Sequence, residues 1–109
     1  MDLLDAQIKS RALAAVQTLS RLAVVRAAYV FGSRAEGRAD QWSDIDLAAF
    51  MEGIEDWDLQ RRARAMALVM EEAGADIEAH LFPLSALEHP ERGGFAEYIL
   101  KNGVCILRG

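Results

Sequence analysis

Two aspartates, Asp44 and Asp46, are separated by one residue at the start of an apolar stretch that predicts a β-strand. Residues at i and i+2 of a strand project from the same face. Asp is disfavoured within strands, and two like charges on one face repel each other unless a cation lies between them. The pair therefore predicts a divalent-metal site, and the alternative is a strand end with two solvated acids.

A short turn precedes these aspartates and contains small residues and one cation: Gly32, Ser33, Arg34 and Gly37. Glycine tolerates positive φ and lets the backbone approach a phosphate closely. A hydroxyl, free backbone N–H groups and a guanidinium can all contact phosphate oxygens. A Gly-Ser turn alone is more often a strand-to-helix turn without a ligand. Together with the two acids that follow, it predicts binding of a nucleoside triphosphate with Mg²⁺.

A third carboxylate is offered by residues 76–82, another predicted strand. Its polar residues alternate with apolar ones, so one face carries Asp76, Glu78 and His80. Glu78 is central on that face and is the best candidate, either as a metal ligand or as a general base for an attacking hydroxyl. We expect Asp76 to be a strand-entry residue and His80 to be a hydrogen-bonded structural histidine rather than a ligand.

Helical and strand patterns alternate around these residues. Apolar residues recur at helical spacing in 3–22, 56–73 and 94–101, with a helical turn at 85–89. Strands are predicted at 24–31, 44–51, 76–82 and 104–107, the last as an edge strand. In the second helix, which Gly74 should end, the inward face is predicted to hold Trp57, Ala63, Met66, Ala67 and Met70. The pattern predicts one α/β (α+β) domain over residues 1–109, with helices covering a small mixed sheet.

Composition narrows the functional classes. A chain of 109 residues, 52% apolar and 27% charged, suits one small globular domain. The net charge of −5 argues against an extensive nucleic-acid surface.

The single Cys105 excludes an intramolecular disulfide and a zinc-binding thiolate cluster, and its apolar surroundings predict burial. Met1 is followed by acids rather than a basic segment, and no apolar run approaches the ~20 residues of a membrane span. We therefore expect a cytoplasmic protein without membrane association.

Two further groups of residues have open interpretations. Trp42, between the turn and the aspartates, could line a pocket or a partner surface. The run Arg61, Arg62 and Arg64 is most simply a solvated helix face, with phosphate or partner contact as the alternative.

The order of Gly32-Ser33, a turn closed by Gly37, the pair Asp44 and Asp46, and then Glu78 resembles the minimal nucleotidyltransferases of the polymerase-β-like superfamily. The resemblance extends over nearly the whole chain and implies that superfamily's fold. It implies that Ser33 holds a triphosphate oxygen of ATP. It also implies that Asp44, Asp46 and Glu78 ligate Mg²⁺, as two ions, with Glu78 as the candidate base.

The resemblance also implies a biological context. Small members of this family are often antitoxins paired with an all-helical HEPN ribonuclease toxin, and some transfer AMP from ATP to a tyrosine of that partner. We therefore expect an adenylyltransferase antitoxin with a HEPN-type protein partner, in a homo- or hetero-oligomer. A small-molecule adenylyltransferase is less favoured, because no second domain is present to hold the acceptor.

A different class of function stays open beside the enzymatic one. Many family members have Arg at the position of Glu36 and Asp at the position of Glu78. These two departures are compatible with a catalytically weak or inactive binding module that inhibits its partner by occlusion.

Overall fold

The computed structural model describes residues 6–32 and 44–109. Its helices and strands alternate along the chain as α1 (Ala6–Ser20), β1 (Val25–Phe31), β2 (Ile45–Met51), α2 (Leu59–Ala73), β3 (Ile77–Pro83), α3 (Leu84–Glu88), α4 (Phe95–Asn102) and β4 (Val104–Arg108). A single 3₁₀ turn, Ile54–Asp56, lies between β2 and α2. Every predicted helix and strand is present, and within the described residues its ends differ from the prediction by at most three residues.

Within the described residues, four strands form one sheet in the order β3-β2-β1-β4. β1 pairs antiparallel with β2 and with β4, whereas β2 and β3 are parallel. Parallel neighbours need a crossover connection, and α2 supplies it. The mixed α/β prediction and the edge position of β4 are confirmed.

Helices pack on both faces of this sheet. α1 and α2 cover one face, and its buried side chains from the sheet include Ala28, Val30, Ile45, Leu47, Ala49, Ile77 and Ala79. α3 and α4 cover the other face, which is richer in aromatic side chains: Tyr29, Phe31, Phe50 and the half-buried Phe82. Both faces of β1 and β2 are therefore buried, as their nearly continuous apolar sequences predict.

The predicted inward face of α2 is wrong for three of its five residues, whereas Met66 packs against the core as predicted. Ala63, Ala67 and Met70 are exposed, while Ala65 and Val69 are buried. The helix begins only after Asp58, whose side chain accepts a hydrogen bond of 2.7 Å from the backbone N–H of Arg61. Trp57 is buried as predicted, but it precedes the helix and so does not set the helical phase.

Two smaller predictions also need correction. Cys105 is exposed rather than buried: its neighbours Val104 and Ile106 pack against the core on the α1–α2 side, so Cys105 faces away from that core. Arg62 is not part of a solvated face: its guanidinium donates to the carbonyl oxygens of Leu81 (3.2 Å) and Ile54 (3.1 Å). Across residues 6–32 and 44–109, no helix is both long and apolar enough to cross a membrane.

Candidate active site

The candidate site lies at the amino-terminal end of β2 and β3. Asp46 and Glu78 are directly opposite each other in the parallel pairing of these two strands. On the other side of β2, Phe31 of β1 is opposite Asp46. Because neighbouring strands are only about 4.8 Å apart, side chains at paired positions on one face converge. The topology thus brings together two acids that are 32 positions apart in sequence.

Three potential ligand groups converge at this point: Asp46, Glu78 and His80. One ligand atom from each lies within 4.8 Å of the other two. His80 Nε2 is 3.3 Å from Asp46 Oδ1 and 3.8 Å from Glu78 Oε1. The side chains of Asp46 and His80 are about one quarter exposed (27% and 24%), whereas that of Glu78 is 54% exposed. Glu78 is therefore the group most accessible to a second reactant.

Strand alternation orients these side chains. Ile45, Ile77 and Ala79 are buried in the core on the α1–α2 side. The residues between and beside them must then face the other way. The backbone N–H of Ile45 donates to the carbonyl of Asp76 at 2.8 Å, which joins the first residues of β2 and β3. This confirms the predicted polar face of the third strand.

An ion pair fixes the entry to β3. Both guanidinium nitrogens of Arg11, on α1, donate to the carboxylate of Asp76, one of them at 3.0 Å and the other in a closer contact. The side-chain hydrogen bond to Asp76 raises the pKa of Arg11, against the opposing effect of burial. Asp76 is therefore a strand-entry residue, as predicted, and it holds β3 against α1 two residues before Glu78.

Gly32 lies directly against the acid cluster. Its φ is +78°, in the left-handed region that glycine tolerates. A β-carbon at this position would be only 2.6 Å from Asp46 Oδ2, closer than side-chain contacts allow. Only glycine leaves the Asp46 carboxylate in its observed position. This finding explains the glycine structurally, and its contact with a nucleotide stays a prediction.

Asp44 is exposed and lies one residue before β2. It lines a cavity of about 190 Å³ together with Glu78, Met66 and Met70. It is not a member of the cluster formed by Asp46, Glu78 and His80. Glu78 thus belongs to the cluster and also lines the cavity beside Asp44. Metal ligation by Asp44 stays a prediction.

The remaining predicted nucleotide-binding residues lie outside the described ranges: Ser33, Arg34 and Gly37. The same holds for Glu36 and Trp42. Their proposed contacts with phosphate, base or partner stay predictions from the sequence.

His80 is hydrogen-bonded to Asp46, as expected for a structural histidine. It is also the third member of the cluster, although it was not predicted from the sequence to be a ligand. The available signal was its spacing of two residues from Glu78, which places both on one face of a strand. The residue types around His80 gave no further sign that it could be a ligand.

Aromatic rings border the cluster on one side. The imidazole of His80 makes edge-to-face contacts with Phe31 (5.0 Å between ring centroids) and Phe95 (5.7 Å). Phe95 also contacts Phe31 and Phe82, yet it remains 50% exposed. An exposed aromatic ring beside converging acids can contact a flat apolar group of a ligand. Phe95 was not among the residues predicted from the sequence.

The donor set fits a divalent cation. Carboxylate oxygens are the preferred ligands of Mg²⁺, and such sites commonly use one or two of them. Two acids at paired strand positions also repel each other, and a cation between them removes that repulsion. Asp46 and Glu78 would hold the ion. His80 adds a nitrogen atom that harder cations do not require.

A second concave surface lies elsewhere on the protein. This groove of about 420 Å³ is lined by residues that include Leu22, Trp57, Arg61, Arg64 and Leu68. Arg61 stacks over Trp57 at 4.5 Å. The groove shares no residue with the acid cluster, so it is not the candidate active site.

Comparison with known proteins identifies the family and a similar fold. The family described as Polymerase beta, Nucleotidyltransferase matches residues 14–108. A protein from Sulfolobus solfataricus, whose crystal structure at 1.40 Å is described as that of a candidate nucleotidyltransferase, is similar in fold, with a TM-score of 0.51. The sequences are 15% identical, and the similarity covers 93% of this chain and 86% of the other. No curated protein shows significant similarity to the chain.

Proposed function

The chain belongs to the polymerase beta nucleotidyltransferase family, and from that premise we propose that it transfers AMP from ATP to a hydroxyl group with the help of Mg²⁺. The observation that carries the proposal is the convergence of Asp46 and Glu78 at paired positions of β2 and β3. The acceptor we propose is a tyrosine of a HEPN-type toxin, which would make this protein the antitoxin. The small size of the domain and the resemblance of its motif support that acceptor.

In the proposed reaction, the acceptor oxygen forms a bond to the α-phosphorus of ATP while the bond from that phosphorus to pyrophosphate breaks. Mg²⁺, when bound, supplies positive charge that aligns the attacking oxygen and neutralises the leaving group. Asp46, whose carboxylate lies against Gly32 and is hydrogen-bonded to His80, serves as an anionic ligand. Glu78 is more exposed and accepts the proton of the attacking hydroxyl.

A transfer assay with ATP labelled at the α-phosphate tests the proposal. The protein is incubated with Mg²⁺ and with the product of the neighbouring gene as acceptor. We expect label on the acceptor with the wild type and its loss with Asp46→Asn. Asp56→Asn is the matched control, because Asp56 is an exposed acid in the 3₁₀ turn. Equal labelling by folded Asp46→Asn and wild type would refute a catalytic role for Asp46.

A second candidate function is inhibition of the partner by occlusion, without transfer. The position of Asp44 outside the cluster of Asp46, Glu78 and His80 favours it, because a site with fewer acids at one point holds metal less tightly. If occlusion suffices, the double variant Asp44→Asn, Asp46→Asn still neutralises the partner. Loss of neutralisation in this variant, with the fold and partner binding retained, would exclude occlusion alone.

A further inference from the structure

The imidazole of His80 faces the two acids with the atom that can ligate a metal. Nε2 is the atom that lies 3.3 Å from Asp46 Oδ1 and 3.8 Å from Glu78 Oε1. The nitrogen that makes this hydrogen bond is also the one that would bind a cation shared with Asp46. The ring would need to move little to do so. The cluster therefore offers one nitrogen and two carboxylate groups to a single point.

The ring is held in this orientation by its surroundings. Phe31 and Phe95, which also contact each other, both pack edge-to-face against it, at 5.0 and 5.7 Å between centroids. The side chain is only 24% exposed. A ligand that is already held by packing loses little rotamer freedom when it binds a metal, which favours binding.

We propose that His80 is a nitrogen ligand of the metal held by Asp46 and Glu78, and that it makes the site select first-row transition cations over Mg²⁺. Imidazole is a better ligand for Co²⁺, Ni²⁺ or Zn²⁺ than for Mg²⁺, which prefers oxygen. A site of two carboxylates alone offers only oxygen ligands, which suit Mg²⁺. This inference rests on the proposed function for the presence of a metal at Asp46 and Glu78.

Co²⁺ binding measured by visible absorption, at one fixed pH, is the test. His80→Asn replaces the ring nitrogen with a carboxamide and leaves an oxygen donor. We expect it to weaken Co²⁺ binding at least ~10-fold, to shift the Co²⁺ absorption spectrum, and to weaken Mg²⁺ binding, measured by calorimetry, by a clearly smaller factor. His80→Phe, whose ring suits the contacts with Phe31 and Phe95, should lose Co²⁺ affinity in the same way.

His89 provides the matched control, because it is the other histidine of the chain and is exposed at the end of α3. We expect His89→Asn to bind Co²⁺ like the wild type. The inference is overturned if His80→Asn and His80→Phe, both folded by circular dichroism, bind Co²⁺ as tightly as the wild type. In that case His80 is a structural hydrogen-bond partner of Asp46 only.

The two proposals fail in different ways. Transfer of the α-phosphate with Mg²⁺, combined with Co²⁺ binding that is indifferent to His80, overturns the role of His80 and leaves the transferase activity intact. Co²⁺ binding that depends on His80 and on Asp46, without transfer under any metal condition, overturns the transferase activity and supports the nitrogen ligand.

Discussion

The backbone of Gly32 packs directly against the carboxylate of Asp46, so closely that any β-carbon at position 32 would be 2.6 Å from Oδ2. The contact joins the end of β1 to the start of β2, where Phe31 and Asp46 are paired. Gly32, the first residue of the predicted phosphate-binding turn, and Asp46 therefore form one structural unit. A change in either should alter the position of the other.

Gly32→Ala is expected to weaken Mg²⁺ binding and α-phosphate transfer. Alanine at φ +78° costs about 1–2 kcal/mol, and its β-carbon must displace the carboxylate of Asp46. Calorimetric titration with Mg²⁺ and the labelled-ATP assay measure the two effects.

Gly53→Ala separates the two causes. Gly53 has almost the same φ, +77°, but a β-carbon there meets no atom within 4 Å. We expect a similar loss of stability from the backbone conformation and no loss of Mg²⁺ affinity. If both variants weaken Mg²⁺ binding equally, the contact between Gly32 and Asp46 has no functional role.

Glu78→Gln is expected to reduce transfer by about 10²-fold or more, because an amide cannot accept the hydroxyl proton. The stability of the fold should be nearly unchanged, since this side chain is 54% exposed. Single-turnover rates with labelled ATP measure the effect. Glu88→Gln, an exposed acid of α3, is the control. Wild-type rates in the Glu78 variant would exclude Glu78 as the base.

Arg62→Met is expected to lower the free energy of unfolding by about 1–2 kcal/mol. Its guanidinium bridges the carbonyls of Leu81 and Ile54, and the substitution removes both hydrogen bonds. Urea denaturation provides the measurement. Arg64→Met, at an exposed position of the same helix, should change stability by less than about 0.5 kcal/mol. Equal effects would show that Arg62 does not support the fold.

Arg21→Gln is expected to change how stability depends on pH. The pKa of Glu72 is held below its ordinary value, chiefly by the hydrogen bond from Arg21 and then by that from Thr18. A carboxyl group with a lowered folded-state pKa stabilises the fold above its unfolded pKa, and this stabilisation is lost as the pH falls through the folded value.

The stability difference between wild type and Arg21→Gln should therefore be present at neutral pH and narrow below about pH 4. Urea denaturation across this range measures it. Arg64→Gln removes the same charge without this carboxylate partner, so its difference from wild type should not narrow in the same window. A constant difference for Arg21→Gln would contradict the ion pair with Glu72.

Strand alternation made the polar face of β3 predictable. Ile77 and Ala79 are buried, and Glu78 faces away from that core. The pattern has a period of two residues, and a single strand suffices to show it. The register that places Glu78 opposite Asp46 was not predictable in this way. It depends on how two strands pair, and neither strand's own sequence specifies that pairing.

The inward face of α2 was not predictable in the same way. Alanine occurs on both sides of this helix, at the exposed Ala63 and the buried Ala65, so hydropathy gives little information about phase. The contact between Phe95 and His80 is a second case. It joins a helix to a strand, and only the packing of α4 on the sheet determines it.

The position of the transferred phosphate tests the central claim most directly. Two parallel reactions contain ATP labelled at the α- or at the γ-phosphate, with the same Mg²⁺, protein and acceptor. A nucleotidyltransferase moves the α label to the acceptor and releases the γ label as pyrophosphate, and folded Asp46→Asn does neither. Transfer of the γ label to the acceptor, or α labelling that is unaffected by Asp46→Asn, would contradict the proposed reaction.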